Sequence, residues 1–91
     1  MPSIQYISDG RGGTVIYADE TSSIRIYYEF GANDCVAILF IPTADRWEQE
    51  TGRALSERNA ILHWIAERVC QDQVSQGYYQ ITDGFIELYR K

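Results

Sequence analysis

The side chains best suited to chemistry gather on one stretch, Ser56 to Gly77. His63, the only histidine, stands there with Glu67 and Cys70. On a helix, positions four apart share a stripe, so His63 and Glu67 become neighbours. Imidazole, carboxylate and thiol together suggest two chemistries, a metal ligand set or a thiol activated by an imidazole. Spacing opposes both. Seven helical residues separate the backbones of His63 and Cys70 by about 10 Å along the axis, whereas a nucleophile and its base must meet within about 3.2 Å. Structural zinc takes about four ligands, and no second histidine or CxxC pair exists to complete them. A solvated His63–Glu67 pair is the expectation, with no metal and no cofactor.

Carboxylates are plentiful at Asp9, Asp19, Glu20, Asp45, Glu48 and Glu50. Two acids run hydrolytic chemistry only when their surroundings push their pKa values apart. These six sit in polar, turn-like sequence where solvation is the default. No GxSxG or HExxH motif occurs. The glycine-rich Ser8–Gly13 segment lacks the spacing of a dinucleotide or P-loop cradle, and a β-like run follows it rather than a helix. It is expected to be a hairpin turn. No catalytic residue is assigned, and an enzyme is not expected.

Binding surfaces are the stronger candidates. Trp64 falls about 60° outside the apolar stripe of its helix, and Arg68 one turn on could stack on its ring. It is expected either to widen the stripe against residues 43–52, meeting Trp47, or to anchor an interface, since Trp, Tyr and Arg dominate binding hot spots. Trp47 stands among Asp45, Arg46, Glu48 and Glu50. Arg25 and Tyr27, with Glu29, form the polar-aromatic face of a strand. The candidate interaction surface is therefore Trp64, Arg68, Trp47, Arg25 and Tyr27.

The elements that must position these residues follow from periodicity. Ser56 is expected to cap a long helix, with Leu55 as a hydrophobic staple before it and Gly77 as its left-handed terminus. Ile61, Leu62, Ile65, Ala66, Val69 and Cys70 make its core stripe. Strands are expected at Ser3–Ile7, Thr14–Ala18, Ser23–Phe30 and Cys35–Ile41. In the third, Ile24, Ile26, Tyr28 and Phe30 alternate against Arg25, Tyr27 and Glu29. The fourth, CVAILFI, is apolar on both sides, the pattern of a strand covered on two faces. One helix covers only one face, so either the segment after Pro42 or a second subunit must lie on the other. Thr43 begins a short helical turn that Gly52 closes. After Gly77, Thr82-Asp83-Gly84 joins two β-runs as a hairpin, with Ile86 and Leu88 inward and Phe85, Glu87 and Tyr89 outward. The expected fold is α+β: an antiparallel sheet of a four-strand meander plus a C-terminal hairpin, one long helix packed on one face and a short helix before it.

Totals bound the function. The chain has 91 residues, enough for one small domain, residues 1–91, that buries about 60–65% of its unfolded surface. Thirteen acids against eight bases give a net charge of −5. With no basic tract, neither nucleic acid nor an anionic membrane is an expected partner. No secretory leader or membrane span is expected, and the two distant cysteines suit free, buried thiols in the cytoplasm. The expected function is a non-catalytic protein-interaction or self-associating module, a homodimer or the partner of another protein. The alternative is a small-molecule binder with a pocket between the sheet and residues 43–55, and a small enzyme ranks third.

Overall fold

The computed structural model describes residues 1–74 and 76–91. Six strands form one antiparallel sheet: β1 (Ser3–Ser8), β2 (Gly12–Ala18), β3 (Ser23–Phe30), β4 (Cys35–Phe40), β5 (Gly77–Ile81) and β6 (Phe85–Arg90). Helices α1 (Trp47–Thr51) and α2 (Arg58–Gln73) lie between β4 and β5, each entered through a 3₁₀ turn. The fold is α+β, as the sequence pattern predicts. No helix among the described residues is long and apolar enough to cross a membrane.

The spatial order is β1-β2-β3-β4-β6-β5. The first four strands meander, and the terminal hairpin docks through β6 onto β4. Strands β4 and β5 therefore run the same way with β6 between them, and α2 makes the crossover that such a parallel relation requires. Inserting β6 centrally buries its two best core residues, Ile86 and Leu88, completely. The more amphipathic β5, with half-buried Tyr79 and Ile81, takes the edge.

The stripe predicted for the long helix is the stripe that is buried: Ile61, Leu62, Ile65, Ala66, Val69 and Cys70. They pack on Val15, Tyr17, Ile26, Leu39, Ile86 and Leu88 of the sheet in one core. The ends of the helix differ from expectation. Ser56 caps nothing; it lies inside the 3₁₀ turn Leu55–Glu57, and Leu55 is exposed rather than stapled. The first amides are met by acids instead: Glu57 accepts from Ala54 N at 3.2 Å and Glu48 from Leu55 N at 3.1 Å. At the other end α2 stops at Gln73, and buried Val74 turns extended while donating its N–H to Cys70 O at 2.9 Å. Gly77 opens β5 rather than ending the helix. A Cβ there would lie 2.3 Å from both Tyr89 O and Val74 Cγ1, so the glycine serves close strand approach. Gly52 does end α1 as predicted, with φ 72° and its N–H on Glu48 O.

Two further residues depart from the alternation rule. Phe30 shares the parity of the core face but is 56% exposed. It stands at the mouth of a small cavity beside Val69 and Gln73, where the helix cover runs out. Cys70 is buried as expected, but Cys35 is only half-buried, since it sits at the bulge where the register of β4 against β6 shifts.

Candidate interaction surface

Cross-strand partners share a face, so the register assigns every strand residue to one of two sides. One side meets α2. On the other, Thr14, Tyr27, Phe40 and Phe85 stand in one row across β2, β3, β4 and β6. Ile7 of β1 pairs with Thr14 and extends the row to the edge. Gly12, Glu29, Ile38, Glu87 and Gln80 form the row on one side of it. Ile16 and Arg25 form the row on the other.

No element among the described residues covers this face. Ile7, Tyr27, Phe40, Phe85 and Tyr78, all on it, are between 38% and 51% exposed. The rings are organised against one another. Tyr27 stacks on Phe40 with centroids 5.8 Å apart, and Phe40 meets the edge of Phe85 at 5.5 Å. Beside them Tyr78 stacks on Tyr89 at 5.2 Å. Such packing fixes the rings as a rigid apolar strip, with little side-chain freedom left to lose on binding. The Tyr27 phenol is pushed above its ordinary value by desolvation first, then by the Glu29 and Asp9 charges, so it stays neutral at physiological pH. Around the strip the charges are sparse. Among the described residues Arg25, Glu29 and Glu87 belong to no ion pair.

The five residues singled out from sequence are dispersed by the fold. Arg25 and Tyr27 lie together on this open face, both exposed. Trp64 and Arg68 lie on α2, on the opposite side of the sheet. Trp64 packs edge-on against Tyr17 at 5.5 Å, with the Arg68 guanidinium 5.9 Å over its ring. It widens the helix stripe, but against β2 rather than against residues 43–52. Trp47 is withdrawn from any surface. It is completely buried, with its Nε1–H donating to Ala54 O at 3.0 Å. Its acidic neighbours point outward because a one-turn helix exposes them while its single large apolar residue closes the end of the core.

Three site residues escaped the sequence reading: Ile38, Phe40 and Phe85. Ile38 and Phe40 were legible as half of a two-faced strand and Phe85 as an outward residue. What was missing was the docking of β6 beside β4, which sets Phe85 against Phe40.

Other groups with chemical capacity are occupied structurally. His63 Nδ1 lies 3.2 Å from the Tyr79 hydroxyl rather than pairing with Glu67. Burial pushes the Cys70 thiol up. Among the described residues no group of three His, Cys, Asp or Glu side chains converges to hold a metal ion. Arg53, only 7% exposed, grips both carboxylate oxygens of Asp19 at 2.9 and 3.0 Å, and Glu57 at 2.8 Å. That ion pair fastens the β2–β3 turn to the segment before α2. Its cost in desolvation is offset by Thr21 N, Ser22 N and the Tyr17 hydroxyl, all donating to Asp19.

Between the sheet and residues 43–55, Trp47 fills the core side, and an open groove of about 290 Å³ lined by Ser23, Ile24, Arg25, Pro42, Glu50 and Thr51 lies at the surface. An apolar cavity lies at the other end of the core, lined by Tyr6, Val15, Tyr28, Val36 and Val69 among others, and holds about 30 Å³. Ligand pockets run to about 300–1,000 Å³, so this one has room for little beyond water.

Comparison with protein-family models, curated proteins and solved structures finds no match to this chain.

Proposed function

We propose that the protein is a non-catalytic interaction module that self-associates through the open face of its sheet. One observation carries this reading: the two central strands, β3 and β4, present a contiguous aromatic and aliphatic strip that nothing among the described residues covers. Monomeric proteins rarely leave such strips in water, because each Å² of apolar surface removed from solvent contributes about 25 cal/mol. The strip is also the side of β4 whose apolar pattern calls for cover.

The face suits protein better than nucleic acid. It carries Arg25 against Glu29 and Glu87 on a chain of net charge −5, and phosphate recognition needs the opposite balance. The same proposal places the protein in the cytoplasm, supported by two thiols that are not joined.

The test is solution mass by light scattering over a hundredfold range of concentration, for the native chain and for Phe40→Ser. The native chain is expected to dimerise. Phe40→Ser is expected to raise the dimer dissociation constant at least tenfold while the monomer stays folded by circular dichroism. A native chain that is monomeric throughout overturns self-association and turns the search to a different protein as occupant of the face. A dimer indifferent to Phe40→Ser moves the interface elsewhere.

A further inference from the structure

The open face has a symmetry of its own. Arg25 and Glu29 flank Tyr27 at two residues before and two after on one strand, so each stands about 6.8 Å from it along β3. Both point out of the same face, both are exposed, and neither has an ion-pair partner among the described residues. Two opposite charges at equal distances from a central aromatic, with the Tyr27 hydroxyl donating to Glu29 at 3.4 Å, make a self-complementary pattern. A half-turn about the row through Tyr27 exchanges their positions.

We propose that two copies pack open face to open face about a twofold axis running across the strands, along the Tyr27–Phe40–Phe85 row, so that Arg25 of each copy meets Glu29 of the other. The inference rests on the open-face reading above and deepens it by assigning the arrangement of the two copies. A closed twofold interface uses one patch twice, which is what such a pattern supports.

The neighbouring strands agree with this axis. On β2, Ile16 pairs with Arg25 and Gly12 with Glu29. The same half-turn brings Ile16 of one copy over Gly12 of the other, a large side chain over a position that has none. On β4, Ile38 pairs with Glu29, while Pro42 lines the groove beside Arg25. The half-turn sets Ile38 over Pro42, apolar on apolar. Glu87 alone meets a like charge, Asp83 of the second copy, whose carboxylate the Arg58 guanidinium already approaches at 3.5 Å. The alternative half-turn, about an axis along the strands, puts Arg25 on β3 level with Arg25 and Glu29 level with Glu29, and gains nothing from the charges.

The area is adequate. Six strands at about 4.8 Å spacing and about 20 Å length give roughly 600 Å² of sheet in projection, and more in accessible surface. A specific complex buries about 800 Å² per partner. Two sheets stacked this way lie about 10 Å apart with their strands within about 30°, which leaves room for the rings to interleave.

Charge reversal tests the axis. Arg25→Glu leaves two acids flanking Tyr27, and Glu29→Arg leaves two bases. Each variant alone is expected to weaken its own dimer about tenfold or more. An equimolar mixture of the two variants is expected to form a heterodimer at least as tight as the native dimer, because both contacts then join opposite charges. The double variant Arg25→Glu with Glu29→Arg is expected to dimerise within about threefold of the native chain. Light scattering and native mass spectrometry of the mixture read all four. If Phe40→Ser disrupts the dimer but the mixture shows no preference for the heterodimer, the open face stands as the interface and this axis is overturned. If either single reversal tightens association, the axis is also overturned. A native chain that never dimerises overturns both.

Discussion

The two faces of this sheet are built from the same strands, with the same alternation, and they end in different physical states. On the covered face Val15, Ile26, Leu39, Ile86 and Leu88 are at most 1% exposed. On the open face Tyr27, Phe40 and Phe85 keep 38% to 46% of their surface in water. On β4 the difference is not composition, since both sides of that strand are apolar. It is that α2 supplies one apolar stripe, while α1 is a single turn that closes the end of the core, and no helix among the described residues lies on the other side. An apolar strand face therefore marks a demand for cover, and the covering element decides whether that demand is met within the chain.

The comparison breaks most sharply at Trp47, which closes the covered side. Trp47→Ala removes a fully buried ring and leaves the Ala54 carbonyl without its donor. A loss of about 3–5 kcal/mol in folding stability is expected, measured by urea denaturation. Among molecules still folded, the association constant should not change. If dimerisation disappears while the fold persists, the covered side contributes to the interface and the separation of the two faces is wrong.

Acid probes the same side through Asp19. The Arg53 guanidinium, before any other cause, holds the Asp19 carboxyl well below its ordinary 3.8 in the folded protein. A depressed folded pKa adds stability that is fully present above the unfolded value and is lost as pH falls through and below it. The urea midpoint is thus expected to hold down to about pH 4.5 and to fall as pH drops from there toward 2. Asp19→Asn should lower the midpoint at neutral pH and flatten that acid limb. An unchanged limb would show that the Asp19–Arg53 pair does not govern it.

The mildest effect is expected at Trp64. Removing its edge-on contact with Tyr17 and its partial burial should lower stability by about 1–2 kcal/mol. The dimer constant should stay put, because Trp64 lies on the helix side. A weakened dimer in Trp64→Ala would return the interface to α2 and sharpen the comparison in the opposite direction.

Much of the architecture was legible in local spacing. The helix stripe from Ile61 to Cys70, the alternation of Ile24, Ile26 and Tyr28 against Arg25, Tyr27 and Glu29, and the Asp83-Gly84 hairpin all depend on residues within a few positions of one another. Helix ends were less legible. Ser56 and Gly77 are the right residue types for caps, yet the Glu48 and Glu57 carboxylates accept from the first amides and Gly77 is needed against Tyr89. Of the candidate surface, Arg25 and Tyr27 could be set on one face from alternation alone. Phe40 and Phe85 could not be joined to them, because that requires knowing that β6 lies beside β4.

The sequence by itself determined the elements, their inward and outward sides, and the fact that one strand is apolar on both. Tertiary structure alone decided that Trp47 is core and not surface, that Arg53 reaches Asp19 across 34 positions of chain, and that the aromatic strip is continuous. The reason is physical. Periodicity is a property of neighbouring residues and shows which way a side chain points. Burial is a property of what arrives from elsewhere in the chain, or from another molecule, to meet it.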